Sequence, residues 1–126
     1  MLIVYYSKTG KVKNFVDKLA ERGFVCKCIL EHDVVNEDFV LITPTYGYGD
    51  IPNAVENFLE KNSSYLKAVA SSGNMIWGLH LFARSGDKIS QKYNVPLLHK
   101  FQNHGFDSDV DIIAERVLRL GELDST

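Results

Sequence analysis

The 126-residue chain has two cysteines, three prolines and one tryptophan, and its 14 basic and 16 acidic residues leave a formal charge of only -2. Each scarcity excludes something. So small a net charge gives no bulk electrostatic pull toward nucleic acid. Cys26 and Cys28 stand two apart in a strand-like run, where side chains share a face and a mutual disulfide would be strained, so they read as buried thiols. A metal centre would need further ligands at suitable spacing, and His32, His80, His99 and His104 form no such set. No segment approaches the roughly 20 apolar residues of a membrane span. Met1 leads straight into the apolar run Leu2 to Tyr6, with neither a basic leader nor a small-residue cleavage site. A soluble, cytoplasmic protein is expected. Internal repeats, low-complexity tracts and interdomain linkers are also missing.

What is present is an ordinary globular composition, 45% hydrophobic and 24% charged, in a chain sized for one domain. Five apolar, strand-like runs occur: Leu2 to Tyr6, Phe24 to Leu30, Phe39 to Thr43, Leu66 to Ser72 and Pro96 to Phe101. Helical patterns alternate with them, which implies an α/β fold with a parallel sheet. Val12, Phe15, Val16, Leu19 and Ala20 recur at helical spacing on one face, and Gly23 is suited to end that helix. A second helix is expected from Asp50, a cap candidate, and the early-turn Pro52 to Asn62, with Val55, Phe58 and Leu59 inward. A third runs from about His80 to Tyr93 with Phe82, Gly86, Ile89 and Tyr93 aligned. Gly86 there costs about 1 kcal/mol of helix propensity, for which close packing is the natural reason. The last begins at Asp107 as N-cap and turns Val110, Ile113, Ala114 and Val117 inward before Gly121. This makes residues 1–121 one domain and 122–126 a frayed tail. The acidic stretch Glu31 to Asp38 is too short for a full crossover helix, so a reduced crossover is expected. The resulting arrangement is a doubly wound, five-stranded parallel sheet in the order 2-1-3-4-5.

Ligands of such sheets bind beyond the carboxyl ends of the strands, where strand order reverses. After the first strand, Ser7-Lys8-Thr9-Gly10-Lys11 offers two hydroxyls, a tight-turning glycine and a helix N-terminus whose free N–H groups attract anions. A capped helix start with no ligand would look the same. A nucleoside-triphosphate P-loop fails, because its first glycine would fall at Tyr5 and its magnesium-binding hydroxyl at Val12. A phosphorelay receiver fails as well, since Tyr6, Ser7 and Thr43 occupy the places where acidic residues are needed. After the third strand comes Thr43-Pro44-Thr45-Tyr46-Gly47-Tyr48-Gly49-Asp50, whose tyrosines can stack on a planar heterocycle and whose glycines can reorient a peptide toward a ring nitrogen. A surface turn with core-filling tyrosines is the plainer alternative. After the fourth strand, Ser71-Ser72-Gly73-Asn74-Met75-Ile76-Trp77-Gly78 holds the only tryptophan, facing either a ligand or the core. The three loops together weigh more than any one.

At these residues a family likeness emerges. Ser7-Lys8-Thr9-Gly10 resembles the flavodoxin phosphate loop, and Thr45-Tyr46-Gly47-Tyr48-Gly49 resembles the Thr-Thr-Gly-Phe-Gly loop of NrdI proteins, the flavodoxin-like stimulatory proteins of class Ib ribonucleotide reductase. Ser72-Gly73-Asn74 with Trp77-Gly78 is similar to that family's Ser-Gly-Asn-Arg-Asn-Trp-Gly. Asp87-Lys88-Ile89-Ser90 through Tyr93-Asn94-Val95-Pro96, with Lys100-Phe101, is similar to its C-terminal half. The chain departs from the pattern at Lys11, where flavodoxins commonly carry asparagine, at Val12, where they carry threonine, and at Met75-Ile76 and Leu79-His80, which replace polar residues beside Trp77.

The resemblance implies a flavodoxin-like fold holding one FMN rather than FAD. Reduced flavin would react with dioxygen and pass an oxidant, superoxide, to the small radical subunit of class Ib ribonucleotide reductase, assembling its dimanganese-tyrosyl radical. A flavodoxin reductase or similar donor would supply electrons. In this reading Ser7, Thr9 and Gly10, with the backbone of Lys11 and Val12, hold phosphate, helped by the charges of Lys8 and Lys11. Thr45, Tyr46, Gly47, Tyr48 and Gly49 line the dimethylbenzene or N5 side of the ring, Ser72, Gly73 and Asn74 with Trp77 meet its pyrimidine side or face, and Thr43, Pro44 and Gly78 complete the cofactor-binding set. No catalytic side chain is needed, because the flavin carries the redox chemistry. A general electron-transfer flavodoxin and a cofactor-free phosphate-binding module are the competing functions.

Overall fold

The computed structural model describes residues 1–30 and 34–124, apart from the side chains of Trp77, Leu123 and Asp124. Among the described residues, five strands and four α-helices follow in the order β1 (Leu2–Tyr5), α1 (Lys11–Glu21), β2 (Cys26–Cys28), β3 (Phe39–Thr43), α2 (Asn53–Asn62), β4 (Leu66–Gly73), α3 (Arg84–Tyr93), β5 (Leu97–Gln102) and α4 (Asp107–Asp124). All strand pairs are parallel and the order is β2-β1-β3-β4-β5, as the alternation of apolar runs implied. Among the described residues no helix is long and apolar enough to cross a membrane.

The pleat divides the core in two. On one face Ile3, Val40, Ile42, Ala68 and Ala70 pack against Val12, Phe15, Val16 and Leu19 of α1 and Val110, Ile113 and Val117 of α4. On the other, Leu2, Val4, Phe39, Leu41 and Val69 meet Val55, Phe58 and Leu59 of α2 and Ile89 of α3. A strand covered on both faces carries apolar residues at successive positions, which is why β3 reads Phe-Val-Leu-Ile-Thr and is buried throughout. Phe15 stacks on Phe101 with centroids 4.0 Å apart, tying α1 to β5 across the first of these faces.

Several element ends differ from expectation, each for a local reason. The second strand is limited to Cys26–Cys28, because β2 is an edge strand and pairs only with Ile3, Val4 and Tyr5 of β1. That edge position leaves Cys26 and Cys28 half-buried rather than buried, and both are free thiols. Partial burial, with a smaller effect from the Asp17 carboxylate, pushes the Cys26 thiol up to about 11. Ala20 is exposed. At about 100° per residue it lies roughly 80° round the helix from Val12, at the margin of the apolar stripe. Gly23 does end α1, at φ +97, with its N–H donating to the Ala20 carbonyl.

The cap of α2 is Pro52 instead of Asp50, whose backbone forms an antiparallel bridge with Tyr46 and whose carboxylate meets Lys88. Helix α3 starts at Arg84, because Ala83 adopts a left-handed φ of 50 and interrupts any helix from His80; Phe82 consequently precedes the helical face. At α4 the Phe106 carbonyl accepts the first helical bonds while its N–H donates to Asp109 Oδ2 at 2.7 Å, so Asp109 supplies the capping side chain and Asp107 is already helical. Gly121 does not switch to the left-handed conformation, and α4 continues through it to Asp124. Of the acidic stretch before β3, Glu31, His32 and Asp33 lie outside the described residues; beyond them the Val35 N–H donates to the buried Asn62 side chain at 2.9 Å.

Gly86 is where the expectation of close packing is met most sharply, since a Cβ there would overlap the Ser71 hydroxyl and Leu97. Gly86→Ala gains about 1 kcal/mol of helix propensity. Overpacking against a fixed strand costs about 1–3 kcal/mol and outweighs it. Urea denaturation should show net destabilisation; an unchanged or higher midpoint would refute the close-packing account.

Candidate functional site

Parallel pairing puts the carboxyl ends of β1, β3, β4 and β5 on one edge, and the loops that leave them enclose a cleft of about 230 Å³. Ser7, Lys8, Thr9, Lys11 and Val12 line it from the first loop, Pro44, Thr45, Tyr46 and Gly47 from the second, and Ser72, Gly73 and Asn74 from the third. Twelve residues expected from sequence are thereby brought together. Gly10, Thr43, Tyr48, Gly49 and Gly78 are not in its wall, and the side chain of Trp77 lies outside the described residues.

The first loop is built around the start of α1. Gly10, at φ 91, is the residue preceding the helix and turns the chain into it. Ser7 Oγ accepts N–H bonds from Gly10 and Lys13, both at 3.2 Å, so its hydroxyl caps the helix. First-turn amides have no intrahelical acceptor, and those of Lys11 and Val12 meet none elsewhere among the described residues. Thr9 is exposed at the cleft, which Lys8 and Lys11 also line. This donor set fits a dianionic phosphate.

The second loop has a rigid limb and a protruding one. Ser85 Oγ donates to the Pro44 carbonyl at 2.9 Å, so the 2.8 Å contact with Thr45 Oγ1 is made with the Thr45 hydroxyl donating. Thr45 Oγ1 in turn accepts the Ser85 N–H at 3.3 Å. Thr45 thus lines the cleft with its hydroxyl already committed to α3. Thr43 is buried, and its hydroxyl donates to the Pro44 carbonyl. Beyond Thr45, Tyr46 and Asp50 exchange backbone bonds of 2.9 and 2.6 Å, closing a tight loop with Gly47 at φ 51 and Gly49 at φ 90. Gly49 is pressed against Arg84, while Tyr48 stands out into solvent at 74% exposure, which is why neither reaches the cleft.

Tyr46 forms one side of the cleft. Its ring meets Tyr6 edge-on at 6.3 Å, and Lys8 Nζ lies 5.5 Å from its centroid. Its hydroxyl is buried and makes no hydrogen bond of good geometry among the described residues, the Tyr6 phenol being the polar group that acts on it. Burial first, and the Tyr6 phenol second, hold its pKa above the ordinary tyrosine value. In the third loop Asn74 Oδ1 accepts the Ile76 N–H at 3.0 Å and caps the 3-10 turn Met75–Trp77, which Gly78 ends at φ 92.

Two cleft residues escaped sequence reasoning, Leu81 and Asn103. Asn103 was findable, since it follows β5, whose carboxyl end must share the edge already searched after β1, β3 and β4.

With this geometry in view, residues 3–115 match the family described as NrdI flavodoxin-like. The chain belongs to the NrdI flavodoxin-like family. It is 44% identical over 122 residues to a protein NrdI of Macrococcus caseolyticus, covering 97% of this chain and 92% of that one. A protein NrdI of Bacillus licheniformis is 45% identical over 118 residues, covering 94% and 88%. Oxidised flavodoxin 1 of Bacillus cereus superposes with a TM-score of 0.66 over 96% of each chain at 14% identity, a likeness of fold. The cleft of this NrdI-family chain thus lies at the switch point between β1 and β3 of a flavodoxin-like sheet.

An unpaired buried hydroxyl costs about 1–3 kcal/mol, so Tyr46→Phe, studied without added flavin, should not destabilise the protein at neutral pH. Because the folded phenol holds its proton more tightly than the unfolded one, tyrosine-linked stability is intact below about pH 10 and drains away as pH rises above it. The stability advantage of Tyr46→Phe should therefore widen above about pH 10 in urea titrations. A constant difference across that range would contradict the buried, neutral phenol.

Proposed function

We propose that this chain binds one FMN in the cleft and acts as the reduced-flavin partner of a class Ib ribonucleotide reductase. The observation that carries the proposal is the convergence of three loops on one cleft, where the free α1 amides, Thr9, Lys8 and Lys11 share the wall with Tyr46 and Gly47 and Lys8 Nζ lies 5.5 Å from the Tyr46 ring centroid. The donor set suits a terminal monophosphate, and the glycine-bearing loop suits the edge of a flat ring. Membership of the NrdI family supports the partner.

Bound FMN would supply the redox chemistry, accepting electrons from a reductase and passing one to dioxygen to give superoxide. The chain's own contribution is positional. Lys11 and Val12 amides with the Thr9 hydroxyl orient the phosphate, and Lys8 and Lys11 offset its charge. The neutral Tyr46 phenol adds no negative charge near a reduced flavin. The left-handed Gly47 peptide is free to turn either its C=O or its N–H, a choice a Cβ would restrict. Oxidant delivery would go to the dimanganese small subunit, with the docked pair excluding bulk water.

Three measurements test this reading. Mass spectrometry of released cofactor should find one FMN per chain; FAD would overturn the assignment. Thr9→Val should weaken FMN by about 1.5–3 kcal/mol through loss of a donor to a charged acceptor. Reduced protein, oxygen and the manganese-loaded cognate subunit together should yield a tyrosyl radical by electron paramagnetic resonance, which oxygen alone should not. If no radical forms while an unrelated acceptor is reduced efficiently, general electron transfer replaces the assembly role.

Gly47→Ala should shift the flavin reduction potentials, since its Cβ would require a strained φ and approach Asp50 Oδ2 to 3.3 Å. Unchanged potentials with FMN still bound would remove the peptide switch from the mechanism.

A further inference from the structure

We infer that Asn103 is a positioning residue of the anion end of the cleft, acting through Lys11. The inference rests on the FMN reading and deepens it by adding a fourth loop to the site.

Asn103 follows β5 and, among the described residues, is one of three non-glycine residues with positive φ, at 54. Asparagine tolerates that conformation better than most side chains, and the backbone here holds it in place. Its N–H donates to the Gly73 carbonyl at 3.1 Å, linking it to the loop after β4. Two residues on, Gly105, at φ 71, returns its N–H to the Gln102 carbonyl at 2.9 Å and sits so close to Phe15 and Phe101 that a Cβ would overlap the Phe15 ring. The turn is thereby pinned at both ends, and Asn103 cannot drift without moving the core.

The side chain of this fixed residue points its oxygen at the phosphate loop. Lys11 Nζ donates to Asn103 Oδ1 at 3.4 Å, across 92 residues of sequence, and both residues line the cleft. A lysine carries three donors on a long flexible stem and otherwise samples many rotamers. Engaging one donor with a neutral acceptor restrains the ammonium over the cleft while leaving its charge and two donors for an anion. An acidic residue at 103 would hold Lys11 as well but would cancel the charge. A neutral acceptor at this place therefore restrains the cation without quenching it. One residue bonds to both the ring-side loop, through Gly73, and the phosphate loop, through Lys11.

The test is a double-mutant cycle read by flavin-fluorescence titration with FMN and with riboflavin, which lacks the phosphate. Asn103→Gly keeps the left-handed backbone and deletes the acceptor. For an exposed polar pair it should weaken FMN about two- to fivefold and leave riboflavin unchanged. In a Lys11→Ala background the same substitution should have no further effect on FMN. Asn103→Asp, which also tolerates the turn, should weaken FMN, most at low salt, because its charge faces the phosphate. Equal losses for FMN and riboflavin would make Asn103 mere scaffold, and an undiminished loss in the Lys11→Ala background would mean it acts independently; either overturns the inference. FMN failing to bind the unmutated protein would instead overturn the FMN reading itself.

Discussion

Strand β3 is the constraint on which the rest depends. All five of its residues are buried, with β1 and β4 on either side and helices over both faces. No side chain along such a strand can meet a ligand, so chemistry is displaced to the loop at its carboxyl end. The chain order then does the remaining work: β3 steps over β1 relative to β2, and the loops after β1 and β3 part at that reversal and leave a cleft between them. Parallel pairing brings the ends of β4 and β5 to the same edge, so the cleft gains a third and a fourth wall.

How those walls are held differs from wall to wall. The start of α3 is a junction where Ser85 bonds Pro44 and Thr45, the Ser71 hydroxyl donates to the Ala83 carbonyl at 2.6 Å, and Gly73 leaves no room for a Cβ against Ala83. This junction explains why Ala83 accepts a left-handed φ, which costs an alanine on the order of 1 kcal/mol. Its carbonyl is held by Ser71 and also accepts the Gly86 N–H. The second and third loops are therefore braced by one helix terminus, while the Gly47-Tyr48 limb beyond them is closed by the Tyr46–Asp50 bridge, with Gly49 against Arg84.

Much of this was legible in the chain. The spacing of Val12, Phe15, Val16 and Leu19 gave α1 because one apolar stripe has one packing solution, and the buried run at Phe39 to Thr43 located the centre of the sheet. The clustering of hydroxyls and glycines after strands β1, β3 and β4 located most of the cleft. What was hidden depended on contacts distant in sequence. That the Thr45 hydroxyl is taken by Ser85, 40 residues on, cannot be read from its own loop. Asp50 and Asp107 are good cap residues by type, but partners elsewhere claim the first and register displaces the second. Asn103 carries no motif, and only the return of β5 to the shared edge gives it a place in the site.

The electrostatics show the same dependence on pairing over composition. With a net charge of -2 the chain as a whole does not favour an anion. Several of its carboxylates are nevertheless engaged in ion pairs, among them Asp17 with Lys13, Asp50 with Lys88, Asp87 with Lys100, Asp107 with Lys18, Asp109 with His99 and Asp111 with Arg22. Each exposed pair contributes little to stability, about 0–1 kcal/mol, so their effect lies in where they leave charge unbalanced. Among the described residues no carboxylate lines the cleft, whereas Lys8, Lys11 and the first-turn amides of α1 do. Lys8 is drawn toward the Tyr46 face and Lys11 toward a neutral amide oxygen, partners that restrain both without neutralising either. An entering anion thus meets two intact cations and a helix terminus in a protein that is, overall, slightly acidic.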